Sequence, residues 1–339
     1  MTGIQFGLML RGQFPRGDDM AQRFAELVEQ ARLADRLGYA SLTKGMHYSA
    51  APWQDFQQFP FLSRIMAEAP HMRLNFGLVL LSLHKPLDIA EQIATVDVMS
   101  GGRVIFGIAL GYRDVEYLAF GTTQKERVKR FEENLEAITR LWTEDVVSMA
   151  GSHFTLDGAS LGTRPLQKPH PPIWIGANAD PAIRRAARLG DCWYVNPHNR
   201  VDTIVRQVEV YKRALDEYGK PFPKEFPARR EVFVARTRED AIRACAPYLG
   251  AKYAAYQQWG QGQAMPAGDN DLGVEFDELL RDRFLIGSPD EVADAILRLH
   301  RATGINHLIM SVQWPGMPQS RALEQLQMLA EEIFPRVQS

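Results

Sequence analysis

Residues 86–121, PLDIAEQIATVDVMSGGRVIFGIALGYRDVEYLAFG, run helix, glycine turn, buried strand and glycine-flanked loop together without a break. From Pro86 to Met99 apolar residues recur at helical spacing (Leu87, Ala90, Ile93, Ala94, Val96, Val98). Pro86 suits a first helical turn and Gly101-Gly102 a C-terminal stop. Val104-Ile105-Phe106 is short, wholly apolar and β-rich, as a strand covered on both faces must be. This order is one unit of a parallel α/β barrel, in which functional loops leave the C-terminal ends of the strands. The loop here is Gly107-Ile108-Ala109-Leu110-Gly111-Tyr112, whose two glycines allow a close backbone approach.

The alternation extends along the chain. Strands are predicted at Ile4–Leu10, Tyr39–Thr43, Leu74–Leu81, Val104–Phe106, Ile173–Gly176, Cys192–Val195, Glu231–Ala235 and Asn306–Val312. Helices are predicted at Ala21–Leu37, about Phe59–Ala69, about Lys125–Thr143, from Asp180 to Leu189, at Val201–Tyr218 and at Ser320–Phe334. Two excursions interrupt the pattern. One, about 146–171, is punctuated by prolines and is expected to wrap the barrel edge. The other, 246–283, carries Tyr248, Tyr253, Tyr256 and Trp259 and has the composition of a lid or an oligomer contact; packing and a substrate role are equally open for its aromatics.

The expected fold is therefore α/β, a single TIM (β/α)8 barrel spanning residues 1–339, with insertions on the C-terminal-face loops. A formal charge of −2 offers no electrostatic reason to bind nucleic acid or anionic lipid. Apolar runs stay short of membrane-spanning length, and MTGIQFGLML lacks the basic and apolar regions of a signal peptide, so the expected compartment is the cytoplasm. Cys192 and Cys245 are expected to be reduced. The histidines show no H-E-x-x-H spacing, no C-x-x-C exists, and no metal is expected. The absence of a G-x-S-x-G elbow argues against a covalent hydrolase.

The stretch DVMSGGRVIFGIALGYRDVE (97–116) closely resembles the luciferase-like, or bacterial luciferase, family of flavin-dependent monooxygenases and oxidoreductases. The resemblance continues through Arg127, RFEENLEAITRLW (130–142), PLQKPHPPIWIGAN (165–178), RRAARLGDCWY (184–194) and FLIGSPDEVADAI (284–296), in family order. It implies a flavin at the barrel mouth and a catalytic histidine at His47, in KGMHYSAAP (44–52), where an imidazole titrating near neutrality moves protons. Bacterial luciferase has a glutamate just before that histidine. This chain has Met46 there, which leaves His47 without the expected carboxylate anchor.

The resemblance also implies cofactor contacts at Gly107, Leu110, Gly111 and Tyr112, and at Val79 and Leu80, with a non-proline cis peptide around Leu78–Leu80. It places the flavin phosphate at Gly176, Ala177 and Asn178, where small residues lead into a helix N-terminus rich in free N–H groups. Leu110 stands where luciferase has a phosphate-binding arginine, and Arg113 is a nearby substitute or else an exposed structural arginine. Met46, Asn196 and His198 are expected at the substrate or cofactor edge. The implied activity is oxygenation of a small apolar organic substrate by reduced FMN and dioxygen, with a separate NAD(P)H-dependent flavin reductase and a homo-oligomeric enzyme. Two alternatives remain: hydride transfer by a deazaflavin coenzyme without dioxygen, and a non-catalytic flavin-binding barrel.

Overall fold

The computed structural model describes residues 3–338. Its eight barrel strands are β1 (Gln5–Met9), β2 (Ser41–Lys44), β3 (Arg73–Phe76), β4 (Val104–Ala109), β5 (Ile173–Ala177), β6 (Cys192–Val195), β7 (Pro227–Val234) and β8 (His307–Ser311). Each pairs in parallel with the next, and β8 returns to β1 with His307 opposite Gln5. The ring is closed, so β1 lies across the barrel from β5 and β8 from β4. A closed ring leaves no strand edge unpaired, and burial on both faces explains why its strands read as apolar runs.

The helix Pro86–Met99 shows how the local sequence enforces this layout. Pro86 occupies the first turn, Ile89, Ala90, Ile93 and Ala94 are buried, and Gly101 and Gly102 follow the end at φ +70° and +81°. Full burial of one side chain such as Ile93 stabilises the fold by about 2 kcal/mol. Buried Asp97 on the same helix accepts hydrogen bonds from the backbone N–H of Gln167 at 3.0 Å and from its side-chain Nε2 at 2.7 Å, which pins the first excursion to the barrel wall. Inside the ring, Trp174, Ile105, Cys192, Tyr194 and Ile309 form an apolar plug. Beneath it Glu225 joins Arg73 and His307. The plug closes the lower barrel and leaves the upper end for a site.

Among the elements that differ from the sequence reading, β4 runs on to Ala109 and takes in Gly107–Ala109 of the predicted loop. The third strand stops at Phe76, a cis Gly77–Leu78 peptide follows, and Val79–Leu80 pair again with β4 before a short 3-10 turn. The largely apolar LNFGLVLL hides that break, whereas the cis bond falls one residue before the implied position. The seventh strand begins at Pro227 rather than Glu231, because Arg229 and Arg230 interrupt its apolar pattern. The excursion 146–171 contains an antiparallel hairpin, Val147–Ala150 with Thr155–Ala159. The second excursion begins inside a helix, Arg238–Gln258, which runs through Pro247. Tyr253, Met265, Leu272 and Leu279 pack there with Phe233, Ile286 and Trp314 as a satellite core. Cys192 and Cys245 are buried and unpaired. Among the described residues no helix is long and apolar enough to cross a membrane.

Candidate active site

The C-terminal ends of all eight strands surround a cavity of about 340 Å³. Met9 and Arg11 follow β1, Gly45, Met46 and His47 follow β2, and Leu78 and Leu80 follow β3. Leu110, Gly111 and Tyr112 follow β4, Gly176 to Ala179 end β5, and Tyr194, Asn196 and His198 end β6. Arg229 comes from β7, and Ser311 and Gln313 from β8. Tyr256, Gln261, Gln263 and Met265 of the second excursion roof it, so that excursion covers the mouth.

His47 is anchored after all. Its Nδ1 lies 3.0 Å from Oε1 of Glu116, which is almost wholly buried, and the same oxygen accepts the Tyr48 N–H at 2.9 Å. An ionised carboxylate only accepts, so Nδ1 carries the proton and Nε2 is left for the cavity. The expected carboxylate therefore comes from the short helix Asp114–Ala119 after β4 rather than from position 46. Arg113 is buried and does not border the cavity. Its guanidinium donates to the carbonyls of Tyr48 and Ser49 at 2.8 and 3.0 Å and lies 4.3 Å from the Trp259 ring centre. Trp259 in turn donates from Nε1 to the Ala51 carbonyl at 3.0 Å and packs its ring 5.2 Å from His47. Carboxylate, arginine and indole together hold the histidine loop in one place.

Across the mouth, the helix Asp180–Leu189 begins at the cavity wall. Its N-cap residue, Ala179, supplies no side-chain cap, and Pro181 lies in the first turn. Uncapped N–H groups and the helix dipole favour an anion there. Asn178 is fixed beside it, its Oδ1 accepting from Asn196 at 2.7 Å and its carbonyl from Gln207 at 2.5 Å. Arg127 lines the cavity on the same side and donates to the Gln124 side chain. The surrounding arginines are engaged elsewhere: Arg206 with Asp180 at 2.8 and 2.9 Å, and Arg185 and Arg188 with Glu132.

Of the residues named from sequence, His47, Met46, Leu80, Leu110, Gly111, Tyr112, Gly176, Ala177, Asn178, Asn196 and His198 all border this cavity. Two do not. Val79 is fully buried in the core between barrel and helices. Gly107 faces the barrel lumen, where a Cβ would stand 2.7 Å from Asn75 Oδ1 and 2.8 Å from the Phe76 carbonyl, so its glycine serves strand packing. His198 is buried and meets the Tyr253 hydroxyl at 3.1 Å; burial, reinforced by nearby Lys252 and Arg229, holds it neutral, well below the usual imidazole range. It borders the cavity with one ring nitrogen engaged by Tyr253.

Sequence reasoning missed the charged wall formed by Arg11, Lys44, Asp55, Arg229, Glu231 and Lys252. Lys44 pairs with Asp55 at 2.9 Å, and Lys252 with Glu231, whose other oxygen accepts the Trp314 Nε1–H at 2.6 Å. Burial brings Lys252 down to about 7 against the opposing pull of Glu231. A charged residue inside a predicted barrel strand, as at Glu231, was the available signal.

The luciferase-like monooxygenase family model matches residues 4–307 of this chain. Among curated relatives, the FMNH(2)-dependent dimethylsulfone monooxygenase of Pseudomonas putida is 28% identical over 87% of this chain and 87% of its own. The oxygenase component of the flavin-dependent trigonelline monooxygenase of Acinetobacter baylyi is 26% identical, over 93% and 90%. The F420-dependent glucose-6-phosphate dehydrogenase of Nakamurella multipartita is 27% identical, over 93% of each. The crystal structure of the monooxygenase RslO1 from Streptomyces bottropensis superposes with a TM-score of 0.87 at 24% identity, covering 98% of this chain and 99% of that one, and shares the fold.

Proposed function

This chain belongs to the luciferase-like monooxygenase family, and from that premise we propose that it is the oxygenase component of a two-component monooxygenase. In this reading it takes reduced FMN from a separate NAD(P)H-dependent reductase and uses dioxygen to oxidise a small organic substrate. The observation that carries the reading is the pairing, across one cavity, of a carboxylate-anchored histidine with an uncapped helix N-terminus.

The residues fit a flavin mononucleotide. The N–H groups at Ala179 and Asp180 and the Arg127 guanidinium would hold the phosphate, and Leu78, Leu80 and Met9 offer apolar surface to a planar ring. The Tyr112 hydroxyl, buried without a partner, is available to a polar ring edge. Reduced flavin, when bound, supplies the electrons that activate dioxygen. The chain's own share is positional and protic: Glu116 fixes the His47 tautomer, and His47 Nε2 gives or takes a proton beside the reacting atoms. Tyr256 and Trp259 keep bulk water from the mouth.

The second reading is hydride transfer by a deazaflavin coenzyme, as named for the F420-dependent relative. Its acidic tail would need cations beyond the phosphate position, and the arginines around that helix are already paired with carboxylates. Equilibrium titration with reduced FMN, oxidised FMN and the deazaflavin separates the two. Tightest binding of reduced FMN, with substrate-stimulated dioxygen uptake, is the expected result; preference for the deazaflavin refutes it.

A further inference from the structure

The cavity holds more positive charge than one phosphate explains. On the side formed by β7, β8 and β1, buried Lys44 and Lys252 claim the two carboxylates, Asp55 and Glu231. Two arginines on the cavity wall are left without close carboxylate partners. Arg11 spends its donors on neutral carbonyls: the Gln13 main chain at 3.2 Å, the Gln13 side chain at 3.0 Å and the Gln313 main chain at 3.2 Å. Arg229 donates Nε to Ser311 Oγ at 2.8 Å, and its nearest carboxylate, Glu231, is 3.8 Å away with both oxygens already engaged.

Beside Arg229 stands the Tyr194 hydroxyl, whose side chain is 2% exposed, lines the cavity and has no hydrogen-bond partner. Buried cations and buried hydroxyls without partners are costly unless a ligand completes them. The phosphate end of a flavin does not reach this wall as the site has been read, because Ala179 and Arg127 lie on the β4–β5 side, across the ring from β8 and β1.

We propose that Arg229, Arg11 and the Tyr194 hydroxyl form a second oxyanion site, and that the organic substrate of this enzyme carries a carboxylate or sulfonate that binds there. This rests on the flavin reading of the opposite side. Beside polar groups such as Gln261 and Gln263 of the roof, Met9, Met46, Leu78 and Met265 offer apolar or thioether surface between the two sites, so the substrate is an amphiphile: an apolar body held near His47 and an acidic end held by Arg229. That refines the wholly apolar substrate expected from sequence. Ser311 orients the guanidinium, which can present its remaining N–H groups in the planar fork that suits a carboxylate.

The test is calorimetric titration of the FMN-loaded and FMN-free protein with linear carboxylates of increasing length, benzoate, phenylacetate, the matching sulfonates and the corresponding neutral amides. At least one acid binds about tenfold or more tighter than its amide. Arg229→Met abolishes that preference, Arg229→Lys keeps part of it, Ser311→Ala weakens it, and FMN affinity stays the same in all three. Equal affinity for acids and amides across the panel overturns the proposal, as does an unchanged preference in Arg229→Met. Loss of FMN binding in Arg229→Met also overturns it, by returning the arginine to the cofactor. Acid binding in a protein that takes no FMN supports this site while defeating the flavin reading, so the two fail separately.

Discussion

His47 Nδ1 and Glu116 Oε1 lie 3.0 Å apart although 69 positions separate them in the chain. The contact joins the loop after β2 to the short helix Asp114–Ala119 after β4 and leaves the second imidazole nitrogen for the cavity. His47→Ala should lower kcat by roughly 100-fold or more, the usual range for a positioned acid or base. Glu116→Gln acts through the histidine and should cost about tenfold in kcat, with substrate KM and FMN affinity unchanged within about twofold. Glu116→Asp should recover part of the loss. Steady-state kinetics with paired flavin titrations check this; a change confined to KM would remove Glu116 from the positioning role.

Arg127 lines the cavity, and the proposed function gives it the charge that Leu110 lacks. Arg127→Met should weaken FMN by about tenfold, near 1.4 kcal/mol, while riboflavin, which lacks the phosphate, binds as before. Equal losses for both ligands would mean that the arginine supports the loop and not the phosphate. Fluorescence quenching of the flavin measures both constants.

How far the sequence carried the account follows from the range of its signals. The helix Pro86–Met99 is a local event, set by a proline, a pair of glycines and side-chain periodicity, and it appears as read, whereas strand β4 runs on past Phe106 to Ala109, its pairing with β5 continuing through Gly107 and Ile108 where the glycine had suggested a loop. The Glu116 anchor is a contact between distant loops, so the substitution at Met46 looked like a loss when the carboxylate had only moved. Arg229 and Arg230 made the start of β7 resemble a loop. The structure shows why they are tolerated: Arg229 faces the cavity, and Arg230 donates to the Asn196 carbonyl at 3.1 Å. The roof over the site was half legible, since its aromatics were visible while the helix through Pro247 that positions them was not.

Trp259 bridges roof and histidine loop through its bond to Ala51 and its stacking on Arg113. Trp259→Ala should open the mouth to water and uncouple the reaction, so that more dioxygen returns as hydrogen peroxide per NADH consumed. Trp259→Phe keeps the ring and should uncouple less. Peroxide and product assays on the same sample decide; unchanged coupling in Trp259→Ala would deny the roof its role.

Burial brings His84 down to about 4, against a smaller opposing effect of Asp88. Between pH 6.5 and pH 4 the unfolded chain binds a proton at this imidazole that the folded chain does not, so stability falls as pH falls through that window. Urea unfolding at pH 7 and pH 4.5 should show His84→Asn losing less stability than the parent protein, by about 2 kcal/mol. Equal losses would show that His84 titrates as freely in the folded protein as in the unfolded chain.

A crystal structure of the protein with FMN tests the central claim most directly. The account predicts the phosphate against the N–H groups at Ala179 and Asp180 with Arg127 beside it, and the ring within reach of His47 Nε2. A phosphate seated instead on Arg11 and Arg229, or a ring turned away from His47, would contradict it.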